Sequence, residues 1–431
     1  MKVYDFLSLL TLLLFNSDGT LGEYILIILR SPVQLEKLLA SILRKYLICF
    51  VAALRPKHNK VVTCYVASWA VYRPDNGKFG IDNISLDPGM DIENENFQTF
   101  QGQNYSILAT SPERRSRFVN SVVNFVRDYG FNGFDLDWEY PGSRGGAPED
   151  KQNFVFLVKE LKEAFREYNY LLTAAISSNL GTIDSAYDIS ELSKYLDYIH
   201  VMAYDYHGTW DKKVLPNAPL KSQDRRSVDT LNYLINRGTP PSKTVLGLPM
   251  YGRTFILANK TSASGESPIN QGIVSDGFSG PYTREKGFMG YNEVRPTTGL
   301  DFQFSLLINM NTPYLVNGDR VIVYDNPKSL QAKVKYAMNL NLSGVMIWSI
   351  DTDDFSGKCS SLKDSLDPTS NNYPLMRSIN VVLGNFNNKD NNMGNNNNNN
   401  NNNNNHQHKS SCGRFSYSFV LIILSVITYY A

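Results

Sequence analysis

Asp135, Asp137 and Glu139 stand at alternate positions in the stretch from Phe131 to Pro141. Aromatic and branched residues between a Gly start and a Pro stop read as a β-strand. A side-chain period of two then turns all three carboxylates to one face. Like charges on a buried face repel one another and resist desolvation. Such a column raises at least one pKa and rarely persists without a use. A solvated edge strand or a cation-binding loop are the blander readings. An EF-hand does not fit, because the Gly and the distant Glu fall at the wrong offsets.

The elements that must carry this column repeat along the chain. Strands are expected at Val61–Val66, Gly133–Trp138, Leu171–Ile176, Tyr198–Tyr204, Thr244–Met250 and Gly344–Ile350. Helical patterns lie between them at Ser111–Tyr129, Glu149–Tyr168, Ser227–Arg237 and Pro327–Leu340, with capping residues at several ends. This βα alternation over residues 59–384 favours a (β/α)8 barrel over an open doubly wound sheet. No glycine-rich phosphate fingerprint follows any strand, which argues against nucleotide binding. Residues 256–322 break the alternation with a polar, Gly- and Tyr-rich segment, read as an inserted α+β subdomain walling a cleft. A long loop is the alternative. Polar and aromatic residues collect where the strands end: Tyr65 and Trp69, Trp138, Tyr204 with Asp205 and Trp210, Tyr251 with Arg253, and Trp348. Barrel sites are built at that rim, and tryptophan faces stack on sugar rings, so a carbohydrate cleft is expected.

Basic and acidic residues nearly balance, 42 against 41, so nothing in the charge calls for nucleic acid or an acidic partner. Residues 1–20 read as a secretory signal peptide and residues 21–58 as an atypical apolar and basic segment. Residues 385–409 are mostly Asn and read as a disordered linker. Residues 410–431 end in an apolar tail, either a glycosylphosphatidylinositol signal or a short membrane anchor. Cys49, Cys64, Cys359 and Cys412 are scattered without metal or redox spacing, and neither metal nor cofactor is expected. Asn83, Asn104 and Asn259 begin glycosylation sequons, as does Asn341, a poor acceptor beside a core strand. An extracellular or surface-bound monomer is the expectation.

These residues resemble the family 18 glycoside hydrolases, the chitinases and chitinase-like lectins. The family signature Asp-x-x-Asp-x-Asp-x-Glu is matched by Asn132 to Glu139, with Asn132 in place of the first Asp. Further matches are Met202-Ala203-Tyr204-Asp205, Gly247 to Arg253, and Val345 to Asp351, and the likeness runs from about Lys60 to Leu383. The resemblance implies Glu139 as general acid, supported by Asp137 and Asp135. The substrate's own acetamido oxygen would be the nucleophile, giving retention. It implies Tyr204 and Met202-to-Asp205 around the acetamido group, and Trp348 beneath the distorted sugar. Tyr65, Trp69, Trp138, Trp210, Tyr251 and Arg253 would line the remaining cleft. The partner would be chitin or a chitooligosaccharide. The segment Val71–Thr110 is too short and polar for the barrel's second and third strands, which need roughly sixty residues. Cys64 would then lack its usual partner. A non-catalytic lectin is one alternative; a splice form or gene model lacking coding sequence, and so inactive, is another.

Overall fold

The computed structural model describes residues 8–15, 21–29, 58–80, 83, 103–259, 267–298, 302–307, 310–357, 372–396 and 419–423. The chain divides into Met1–Pro56 and Lys57–Ala431. In the first unit β1 (Ser8–Phe15) and β2 (Leu21–Leu29) form an antiparallel pair, with Ser8 opposite Leu29. This hairpin crosses the boundary between the two amino-terminal segments distinguished by composition.

The second unit is built on parallel strands β3 (Val61–Ala67), β4 (Gly133–Asp137), β5 (Leu171–Ser177), β6 (Tyr198–Met202), β7 (Thr244–Pro249) and, later in the chain, β13 (Gly344–Trp348). They stand in the order β3-β13-β7-β6-β5-β4, all parallel. Among the described residues this is the curled sheet of a partial (β/α)8 barrel, with no second or third strand between β3 and β4. Among the described residues, β3 is followed by short 3-10 turns at Ser68–Tyr72 and Asp75–Gly77, then by helices α1 (Gln103–Thr110) and α2 (Pro112–Tyr129). Strands β4, β6 and β13 stop earlier than expected, at Asp137, Met202 and Trp348.

Local chemistry accounts for the helices. Ser111 caps α2 by accepting the Arg114 N–H, Pro112 fills its first turn, and Gly130 closes it at φ 70°. Caps of this kind contribute about 1 kcal/mol each. Helices α3 (Asp150–Phe165), α4 (Leu180–Ala186), α5 (Ile189–Tyr195) and α6 (Thr230–Asn236) then cover the sheet with Phe154, Leu157, Leu161, Leu192 and Leu231, all at most 1% exposed.

Between β7 and β13 lies the insertion: β8 (Tyr251–Ile256), β9 (Met289–Gly290), α7 (Tyr291–Thr298), β10 (Gln303–Leu307), β11 (Thr312–Asn317) and β12 (Arg320–Val323). The strands form an antiparallel sheet ordered β10-β11-β12-β8-β9, closed over Phe255, Tyr314 and Val321. It begins at Tyr251 rather than at residue 256, because β8 follows β7 almost directly. Helix α8 (Pro327–Asn339), capped by Asn326, leads into β13.

Helix α9 (Pro374–Asn396) corrects the reading of residues 385–409 as disordered spacer throughout, since residues 385–396 are helical. Leu375, Met376, Ile379, Val382 and Leu383 bury one face of it, and the turn they establish propagates into the Asn-rich sequence. From the carboxy-terminal tail, β14 (Phe419–Ile423) pairs parallel with the open edge of β3, Phe419 opposite Thr63. An uncovered strand edge offers unpaired N–H and C=O groups to any β-prone apolar segment. Among the described residues no helix is long and apolar enough to cross a membrane. Cys64 is buried and free, and burial holds its thiol well above its ordinary pKa; Cys49, Cys359 and Cys412 lie outside the described residues.

Candidate active site

The strand ends surround a cavity of about 300 Å³. Its walls include Tyr65 from β3, Asp137 and Glu139 from β4, Met202, Tyr204 and Asp205 from β6, and Trp348 from β13. Asp135 lies one strand step below Asp137 and is fully buried. Its carboxylate accepts the Tyr65 hydroxyl at 2.7 Å and the Thr173 hydroxyl, and His200 Nδ1 lies 3.1 Å away. His200 Nε2 is 3.3 Å from the Thr63 hydroxyl. A chain of hydrogen bonds therefore joins β3, β4, β5 and β6 beneath the acids.

Glu139 is set apart from that chain. Burial holds its carboxyl above the usual carboxylate range, opposed by the Arg144 guanidinium and reinforced by the charge of Asp205. Arg144 Nη1 reaches Glu139 Oε2 at 3.3 Å from an exposed loop. Asp150 fastens that loop, accepting Gly142 N–H at 3.1 Å, Ala147 N–H at 2.9 Å and the Ser106 hydroxyl at 2.8 Å. The Glu139–Tyr140 and Trp348–Ser349 peptides are cis.

On the other side, Tyr204 is buried with its hydroxyl 3.7 Å from Met346 Sδ. Gly247 makes room for it: a Cβ there would lie 3.0 Å from the Tyr204 ring and 2.4 Å from the Val201 carbonyl. Asp205 has φ 55°, a left-handed backbone uncommon for a non-glycine residue, and its N–H donates to Asn217 Oδ1 at 3.0 Å. Its carboxylate accepts the Tyr251 hydroxyl at 2.6 Å and Arg253 Nη2 at 2.5 Å. Arg253 also lies over the Trp210 ring, 5.1 Å from its centroid. The Trp348 ring packs 5.4 Å from Tyr65.

Trp138 is not in the cleft. It is 2% exposed, stacked on Tyr105 at 5.3 Å and edge-on to Phe154. The same alternation that turns Asp137 inward turns its neighbour outward into the helix layer. Trp69 and Trp210 are exposed at the rim, 46% and 53%, and neither lines the cavity. Tyr206, also a strand-end residue in the sequence, lines the cavity, and residues not expected from the sequence complete the walls: Tyr140, Ala175, Ser177, Ser178, Asn179, Thr182 and Arg226. Ser177 and Ser178 were signalled by their place at a strand end, whereas Arg226 sits in irregular chain with no motif to mark it. Among the described residues no group of His, Cys, Asp and Glu side chains could hold a metal ion.

A barrel with carboxylates at the end of one strand and an aromatic-walled cavity above them defines the glycoside hydrolase class. Residues 92–353 match the model for glycosyl hydrolases family 18, and the chain belongs to that family. It is 40% identical over 415 residues to "Probable chitinase 2" of Drosophila melanogaster, covering 80% of this chain and 84% of that protein. The match occupies about 345 residues here, so about seventy of the relative's positions have no counterpart, close to two βα units. Among solved structures, the Ostrinia furnacalis Group IV chitinase in complex with allosamidin is 32% identical with a TM-score of 0.69, over 76% of this chain and 100% of that one. Human YKL-39, described as a pseudo-chitinase with retained chitooligosaccharide binding, is 30% identical with a TM-score of 0.65, over 75% and 100%.

Proposed function

We propose that this protein hydrolyses β-1,4-N-acetylglucosamine linkages in chitin or chitooligosaccharides with retention, using the substrate's acetamido group as nucleophile. The observation that carries this reading is the column Asp135–Asp137–Glu139, with its outermost acid in the cavity and its carboxyl held above the usual range by burial. Glu139 gives its proton to the glycosidic oxygen, the step a raised carboxyl pKa favours. Asp137 accepts from the acetamido N–H and supports the positive charge that develops on the ring formed by the acetamido oxygen. Asp135, held by its own hydrogen bonds one strand step below, backs up Asp137. Tyr204 orients the acetamido group, and Trp348 with Tyr65 floors the reacting sugar. Trp69, Trp210, Tyr251 and Arg253 meet neighbouring sugars, with Met202 and Asp205 between.

The protein would act outside the cell as a monomer, after removal of residues 1–20. The pseudo-chitinase among the structural relatives favours a second reading, a binding protein without turnover. Glu139→Gln separates the two. It is expected to abolish release of reducing ends from chitohexaose while leaving binding within about twofold. Equal turnover in the variant would remove Glu139 from the acid role. A wild-type chain that binds chitohexaose without cleaving it would establish the lectin reading.

A further inference from the structure

Arg226 lines the cavity that holds Asp137 and Glu139, yet it comes from the irregular chain before α6. Two carboxylates fix its head group. Nη1 donates to Asp211 at 2.8 Å and Nε to Asp224 at 2.9 Å. Asp224 is itself held by the Ser222 hydroxyl at 2.6 Å and the Arg226 N–H at 3.1 Å. Asp211 also accepts the Gly208 N–H at 3.2 Å, and His207 Nδ1 lies 3.3 Å from it. Long arginine side chains ordinarily sample many rotamers; this one is clamped in a single orientation. The clamp occupies two of the three nitrogens and, among the described residues, leaves the Nη2 donors unengaged.

The two acids also offset the cation, so the free edge suits a neutral oxygen better than an anion. Asn179 lines the same cavity. Its Oδ1 is taken by the Thr182 N–H at 3.1 Å, which leaves its amide NH2 as the side open to a ligand. Both residues line the cavity with N–H donors to spare, and such donors fit a carbonyl acceptor.

We propose that Arg226, with Asn179, reads the acetamido carbonyl of a sugar adjoining the one that reacts. The protein would then require N-acetylation at two positions rather than only at the one its chemistry uses. A glucosamine unit in that place presents an ammonium, a donor and a cation, where the wall needs an acceptor. This rests on the chitin-hydrolysis reading above.

The full chain is assayed with chitohexaose and with partially deacetylated chitosan, sequencing the new ends. Arg226→Met is expected to raise KM for chitohexaose about tenfold with kcat within about twofold, the loss of one charge-assisted hydrogen bond. The sugar beside the reacting unit, acetylated in wild-type products, becomes a mixture of acetylated and deacetylated forms. Arg226→Lys restores part of the affinity. A folded Arg226→Met chain with unchanged KM and unchanged product ends would overturn the proposal. The Glu139→Gln background provides a second measurement by calorimetry: chitohexaose binding falls about tenfold on adding Arg226→Met, whereas the fully deacetylated hexamer is unaffected. Equal losses for both sugars would also overturn it. If Glu139→Gln binds neither hexamer and the wild type cleaves nothing, the hydrolase reading fails; if the wild type cleaves and Arg226→Met matches it, only the acetyl-reading wall fails.

Discussion

Asp135 and Asp205 sit two strands apart and are held in opposite ways. Asp135 lies in the core, receiving hydroxyls from Tyr65 and Thr173 beside the His200 ring. Asp205 lies at the mouth, gripped by Arg253 and the Tyr251 hydroxyl. The first arrangement joins four strands and keeps an acceptor directly beneath the reacting acids. The second sets its charge against a guanidinium that also lies over the Trp210 ring. A barrel floor and a barrel rim thus hold the same side chain differently: Asp135 among hydroxyls in the core, and Asp205 against a guanidinium at the mouth, where its charge still reaches Glu139.

That division can be broken by substitution. Asp137→Asn, directly above Asp135, is expected to lower kcat on chitohexaose by about 10²-fold or more with KM little changed, the scale of losing a preorganised transition-state partner. A change confined to KM would move Asp137 to the binding side. Asp135→Asn turns an amide toward hydroxyl donors and is expected to cost about 2 kcal/mol of stability. Denaturant unfolding checks this, and an unaltered midpoint would mean the network below the site is not stabilising. Arg253→Ala, at the rim, is expected to raise KM about tenfold with kcat nearly intact. A fall in kcat alone would merge the two regions.

The smallest effect concerns pH. Glu139 must be protonated to act as acid, so activity is lost as pH rises through its pKa. Burial raises that pKa and the Arg144 cation opposes the rise. Arg144→Gln should therefore move the alkaline limb of the kcat profile to higher pH. Arg144 is 64% exposed, so added salt should move the wild-type limb the same way by screening the pair. A limb that stays fixed, or moves to lower pH, would place the control of Glu139 elsewhere.

Much of the site was legible because strand periodicity is local. Alternation placed Asp135, Asp137 and Glu139 on one face, and the rim positions of Tyr65, Tyr204, Asp205 and Trp348 followed from where apolar runs stop. Trp138, expected in the cleft, lies instead in the helix layer, where the same alternation followed one residue further turns it. Arg226, Asn179 and Thr182 were not legible, since irregular chain carries no period to say which way a side chain turns. His200 reads as one polar residue in an apolar strand until Asp135 and Thr63 are seen beside it.

By itself, the sequence determined the barrel strands, four of the helices and the acids at one strand end, because these depend on neighbours within a few residues. It also determined that the stretch after β3 was too short for two further βα units. Tertiary structure alone decided how the edge of β3 is met: a strand some 350 residues away in the chain pairs with it. It also decided which carboxylate sits among hydroxyls and which against a guanidinium. Those outcomes come from long-range packing, where desolvation and hydrogen-bond partners are set by residues that no local pattern brings together.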